Sequence, residues 1–314
     1  MRTRTILLLL TMVLGGFCTG GVAPSFGQER EEDIRGAFLT TRPKPVEKSS
    51  SSATTARPTR RRPRTSQPKA SGSASVAIGA TNTSAAVGAN AKMKTGGVAA
   101  EKPKVQKIGL GLTLFTRDSN GQSVRADSAR VFRSGDRVRV LLETNTDGYL
   151  YIFNTTYGGQ PVMIYPSAEL DEGGNYIQSH VPFEIPSSSA SQERLRWFTF
   201  DTHAGTERLF FVFTRGPLPL VPTEDELVNY CKQDEKKCPI KPEAELWVKI
   251  QTELRAPVQV AKSERYGKAQ TPVEFDATTR GLGLSKDDPE PSLVMMRAST
   301  EASILVAVLE LIHK

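Results

Sequence analysis

After residue 107 the chain switches repeatedly between short apolar runs and polar breaks. LGLTLFTR sets Leu110, Leu112 and Leu114 against small or polar neighbours, the alternation of a half-buried strand. Asn120-Gly121 and Ser134-Gly135-Asp136 are turn signals around a short ARVF run. In RVRVLLE, Val138, Val140 and Leu142 face one way and Arg137 and Arg139 the other, which predicts one wet face. YLYIFN is apolar on both faces, with Tyr149, Tyr151 and Phe153 on one side and Leu150 and Ile152 on the other. That pattern predicts a central strand covered on each side. VMIYP, the proline-punctuated NYIQSHVPFEIP (an edge), and a hairpin of LRWFTF and ERLFFVFTR around DTHAG extend the series. SLVMMRA and SILVAVLELIHK read as final strands, the last inside a sheet. Short strands at this spacing predict a mainly β protein, an antiparallel β-sandwich.

The period changes between about 222 and 255, a helical insertion. Thr223 and Glu226 have the spacing of a capping box. Leu246, Ile250 and Leu254 recur every four residues, one apolar stripe for packing on a sheet. Residues 262–290 are polar and predict a long loop with a short strand at Val273–Phe275.

Composition divides the chain into 1–27, 28–106 and 107–314. No Phe, Tyr or Trp occurs between Phe38 and Phe115. Residues 28–106 are rich in Ser, Ala, Thr and Pro and read as a disordered linker, because they lack the apolar surface that would offset ordering. The positive excess of the chain, +7 in all, comes from this part. Residues 41–107 hold 14 Lys/Arg against 2 Asp/Glu, whereas 108–314 hold 23 against 28. The folded part is mildly acidic, which argues against nucleic-acid binding. The run Arg60, Arg61, Arg62 and Arg64 offers electrostatic contact with anionic lipid or envelope polymer.

Arg2 and Arg4, the apolar stretch Ile6–Phe17 and the small residues of Ser25-Phe26-Gly27 form a secretory signal, with cleavage expected near Gly27. The chain is therefore expected to be exported, to a periplasmic, extracellular or envelope-associated place. In that compartment Cys231 and Cys238 are expected to pair as a small-loop disulfide, because a zinc site needs about four ligands and no histidine is near.

Catalytic signatures are missing. There is no G-x-S-x-G, and His180, His203 and His313 stand at non-ligand spacings and read as surface or packing residues. The two GLGL runs, Gly109–Leu112 and Gly281–Leu284, lack the rest of a phosphate-binding loop. Asp171-Glu172-Gly173-Gly174-Asn175 and Asp287-Asp288-Pro289-Glu290 read as solvated turns in preference to calcium sites. No catalytic, cofactor-binding or metal-binding residue is assigned.

VFRSGDRVRVLLETNTDGYLYIFN, GQPVMIYP, GTERLFFVFTR and the C-terminal LELIH together resemble the bacterial domain of unknown function 4384, over roughly Ser128 to His313. The landmarks are Gly135-Asp136, Gly148-Tyr149 and Tyr165-Pro166. The resemblance implies an exported or membrane-associated accessory module with no assigned activity. Such modules are often joined to caspase-like peptidase domains, protein kinase domains or repeats.

These readings converge on a non-catalytic envelope module that binds a protein or glycan. Loops at Gly158, Gly159, Gly173, Gly174, His203 and Gly205 are its expected partner-facing surface. One alternative is a regulatory accessory of a separately encoded peptidase or kinase. The other is a hydrolase using carboxylates among Asp171, Glu172, Asp201 and Glu207, which requires a cleft holding two of them.

Overall fold

A computed structural model of the chain describes residues 26–44, 106–169, 173–234, 238–263, 265–299 and 303–314. Residues 1–25, most of the expected signal, residues 45–105 with the Arg60–Arg64 run, and Asp171 and Glu172 lie outside them. Two sheets face each other. The first has the order β11 (Gln259–Lys262), β12 (Leu293–Ser299), β1 (Gln106–Arg117), β4 (Arg137–Thr144), β8 (Phe183–Ile185), with β2 (Ser123–Arg125) beside β1 and β9 (Phe198–Thr199) beside β4. The second runs β3 (Val131–Phe132), β13 (Ile304–His313), β10 (Gly205–Thr214), β5 (Gly148–Thr156), β6 (Val162–Tyr165), with β7 (Tyr176–Ile177) beside β5. Pairing is antiparallel throughout except for β13 with β3, which is parallel, so the second sheet is mixed.

The alternation in the sequence fixes what lies between the layers. Leu110, Leu112 and Leu114, with Val138, Val140 and Leu142, meet Leu150, Ile152, Phe211, Phe213 and Leu305 across one interlayer core. The other face of β5, with Tyr151 and Phe153, packs under two helices, α2 (Glu224–Gln233) and α3 (Ala244–Leu254). Leu246 and Ile250 of α3 are buried there, as their spacing predicts. At Gly148 a Cβ would come 2.3 Å from the Thr214 carbonyl, so the strand start admits only glycine.

Several expectations change. LRWFTF and ERLFFVFTR do not form a hairpin: β9 pairs with β4 and β10 with β5, so DTHAG crosses between layers. NYIQSHVPFEIP divides in the same way, β7 joining one sheet and β8 the other. Local patterns identify a strand but not its partner. Thr223 is the N-cap of α2, but its side chain makes no capping bond and Glu224 has φ 52°. The capping box lies elsewhere, in the stretch expected to be loop. Val273–Phe275 belongs to a helix, α4 (Pro272–Arg280), whose N-cap Thr271 accepts from Glu274 N while Glu274 caps Thr271 N in return.

The segment expected to be wholly disordered supplies a docked arm. Helix α1 (Phe26–Leu39) brings Ile34 and Phe38, four residues apart, against Ala261, Val294 and Met296 on the outer face of the first sheet. Two apolar side chains on one helical face are enough because the sheet offers them a slot. A Cβ at Gly109 would lie 3.0 Å from Phe38 Cδ2, and one at Gly111 would lie 2.5 Å from Pro291. The first GLGL run thus has a steric role.

The predicted wet face of β4 holds at Arg137, which is part-exposed, but not at Arg139. Arg139 is 4% exposed, its guanidinium 4.0 Å over the Trp197 ring, and it pairs with buried Glu184 at 3.5 Å. Arg42, 2% exposed, reaches from the end of the arm to Glu143 with two bonds of 2.7 and 2.6 Å. Its remaining nitrogen donates to the carbonyls of Ser285 and Asp288, and Nη2 also to that of Pro289. Arg125 pairs with Glu274 of α4. A charge on a covered strand face needs a partner: the arm, α4 and the 284–292 segment serve Glu143 and Arg125, and Trp197 and Glu184 serve Arg139.

Cys231 and Cys238 are bonded, with an S–S distance of 2.00 Å, and tie the end of α2 to the connection leading to α3. Removing a link across a sequence separation of 7 should cost about 2 kcal/mol on loop-entropy grounds. A C231S/C238S variant is expected to melt earlier while keeping the β-sheet circular-dichroism signature.

Candidate functional site

Inward-facing positions should be apolar along their whole length. On the second sheet they are so only at one end. The register pairs Leu209 with Asn154 and Leu309, Glu207 with Thr156 and Leu311, and Gly205 with His313. The inward row therefore passes from Phe213, Leu150 and Leu305 to Asn154, Thr156, Glu207 and His313. Where the row turns polar the layers part, and a pocket of about 280 Å3 opens. Val138, Phe198, Thr199, Phe200 and Asp201 come from the first-sheet side, and Ile164, Leu209 and Leu311 complete an apolar floor.

The polar groups are held in fixed roles. Glu207 Oε2 accepts from Asn154 Nδ2 at 2.9 Å and from Thr156 Oγ1 at 2.8 Å. A carboxylate cannot donate, so the Asn154 amide nitrogen must face it and the amide oxygen faces away. That oxygen is buried and unpartnered. His313 is 2% exposed, its ring lies 4.9 Å from that of Phe200, and its Nδ1 is also buried without a partner. A buried polar atom left unpaired costs about 1–3 kcal/mol, a penalty a ligand relieves. At the mouth, Asp201 accepts from His203 N at 2.8 Å. This bond and the His203 ring hold its carboxyl below the usual range of about 3.8 despite some desolvation. The Tyr157 hydroxyl, which donates to the His203 carbonyl, is pushed up by desolvation and by the charges of Asp201 and Glu207.

Among the loops expected to face a partner, Gly158 and Gly159 are exposed and lie beside His203 and Gly205 at this end. A Cβ on Gly205 would enter the Tyr157 ring. Gly173 and Gly174 do not join them. They are buried, and a Cβ on Gly173, which has φ 76°, would come 2.8 Å from the Glu224 carbonyl at the start of α2. Of the four candidate carboxylates, Asp201 and Glu207 share the pocket.

The other concentration of buried charge has no such vacancy. Glu143 takes both Arg42 bonds and a 2.6 Å contact with His180 Nδ1, while His180 Nε2 meets Thr41 Oγ1 at 2.7 Å. Burial pushes the Glu143 carboxyl up, but the bonds from His180 and Arg42 outweigh it and hold the group below its ordinary value. Every partner is internal, so this network fastens the arm. Among the described residues no three His, Cys, Asp or Glu side chains converge as a metal site would require.

Residues 131–217 match the family model of a domain of unknown function. This stretch is similar to domain of unknown function 4384. The match is shorter than the motif-based span of Ser128–His313 and leaves out the C-terminal LELIH. No curated protein and no solved structure matches the chain. The domain 4384 stretch runs from β3 through β10 and contains every pocket residue except Leu311 and His313. Strands β1, β12 and β13, outside it, close both sheets around it.

Sequence reasoning reached Asp201, His203, Gly205 and Glu207 but passed over Asn154, Thr156 and the pocket role of His313. Their signal was polarity at inward positions, and it becomes visible only when the strand register is known.

Proposed function

We propose that this chain is an exported, non-catalytic module of the cell envelope that binds a protruding group of a protein or glycan in the pocket between its sheets. The carrying observation is the polar end of the second sheet's inward row, where two buried polar atoms, Asn154 Oδ1 and His313 Nδ1, lack partners beside two carboxylates. Pockets of this kind combine an apolar lining with a few fixed polar groups, and this one falls just below the usual range of about 300–1,000 Å3, a size that suits a single protruding group. The bonded cysteines and the signal-like N-terminus support export.

The hydrolase alternative has one point in its favour, since Asp201 and Glu207 do line one cleft. A general acid, however, needs a raised pKa, and that of Asp201 is displaced downward. The binding reading is the stronger of the two.

Thr199 lines the pocket from an exposed position, so Thr199→Trp fills it with little disturbance of the core. Immobilised full chain is expected to retain envelope material, with retention lost in Thr199→Trp and kept in Thr252→Trp on the exposed side of α3. Equal retention by both variants, or none by the parent chain, would sink the reading. Turnover of envelope polymer abolished by Glu207→Gln would favour the hydrolase.

A further inference from the structure

We infer that the pocket selects a guanidinium carried on an aliphatic stem, the side chain of an arginine on a protein partner. This rests on the pocket being a binding site and goes further by naming what it takes. The argument begins with charge. Asp201 and Glu207 line the pocket and no Lys or Arg does, so an anionic ligand would meet repulsion and a cation attraction.

Donor and acceptor bookkeeping narrows the class. Both internal bonds to Glu207 end on Oε2, leaving Oε1 for a ligand. Asn154 Oδ1 is a fixed acceptor without a donor, and His313 Nδ1 is another when the ring carries its proton on Nε2. The site therefore asks for a ligand that only donates. Ammonium and guanidinium meet this, whereas sugar hydroxyls bring acceptors that would face carboxylates.

Geometry chooses between the two cations. Asp201, Glu207 and His313 do not converge on one point as metal ligands would. A compact ammonium is a point charge with three donors, while a guanidinium fans five donors over a plane and stacks on ring faces. Phe200 already packs on both Phe132 and His313, so the planar fork is favoured by its reach across acceptors that stand apart, Asn154 Oδ1 and the Glu207 and Asp201 carboxylates. Val138, Ile164, Leu209 and Leu311 suit the methylene stem.

The test titrates the full chain with N-acetyl-arginine methylamide, N-acetyl-lysine methylamide and N-acetylglucosamine, following the His313 ring resonances. The arginine compound is expected to bind best, to lose about tenfold in affinity in Glu207→Gln, and to be excluded by Thr199→Trp. Asp201→Asn, at an exposed position, provides a second charge test should Glu207→Gln fold poorly. Lysine binding equal to arginine overturns the guanidinium assignment, as does N-acetylglucosamine binding alone, though the latter leaves the pocket reading intact. If none of the three binds and Thr199→Trp still retains envelope material, both readings fall.

Discussion

Arg42→Ala is expected to destabilise the protein by about 3–5 kcal/mol, the range for removing one partner of a buried ion pair. Glu143 would keep its burial, at 3% exposure, but lose both guanidinium bonds, and the carbonyls of Ser285, Asp288 and Pro289 would lose their donor. Arg42→Lys keeps a charge but not the fork, and should fall between the two. The same carboxylate gives the protein an acid limb. Its pKa is held below 4.5 in the folded state. Its contribution is therefore complete above the unfolded value of about 4.3 and disappears as pH falls through the folded one. In Arg42→Ala that limb should flatten. Urea midpoints at pH 7 and below pH 4.5 measure both effects, and a loss under 1 kcal/mol at pH 7 would show that the arm is not part of the folded unit.

The second large effect is expected at Glu274, 1% exposed, where two roles meet in one carboxylate. One oxygen pairs with Arg125 and the other accepts from Thr271 N and Oγ1, both at 2.9 Å. Glu274→Ala orphans Arg125, whose guanidinium is already pulled down by burial, and should again cost about 3–5 kcal/mol. Thr271→Ala removes only the cap, worth about 1 kcal/mol. Glu274→Gln should lie between, because an amide has one acceptor where the carboxylate uses two. If Thr271→Ala proved as damaging as Glu274→Ala in denaturant melts, the cap and not the ion pair would be what holds α4 on the sheet.

Strand existence was legible because the interlayer core is built from period-two alternation, which Leu110–Leu114 and Val138–Leu142 follow closely. Helix α3 was legible from Leu246 and Ile250 for the same reason at another period. Partner choice was not, since β9 and β10 carry similar apolar runs yet join different sheets. The arm was hidden because only Ile34 and Phe38 mark its buried face, and the complementary signal, Gly109 and Gly111, lies far along the chain. Helix α4 did announce itself, through Thr271, Pro272 and Glu274, but a polar surrounding masked it. The pocket was half legible. Asp201 and Glu207 could be named as carboxylates, but what makes them a site is their sharing an interlayer gap with Asn154 and His313.

Arg42 and Pro43 are fastened to the folded body, and so is β1 from its first turn onward. The described residues on either side of positions 45–105 are thus held by the same folded body. The spacing between residue 26 and the sheets is set by the docked arm alone. Whatever is attached ahead of Phe26 would be kept close to the sandwich, and a cut between residues 45 and 105 would free neither flank.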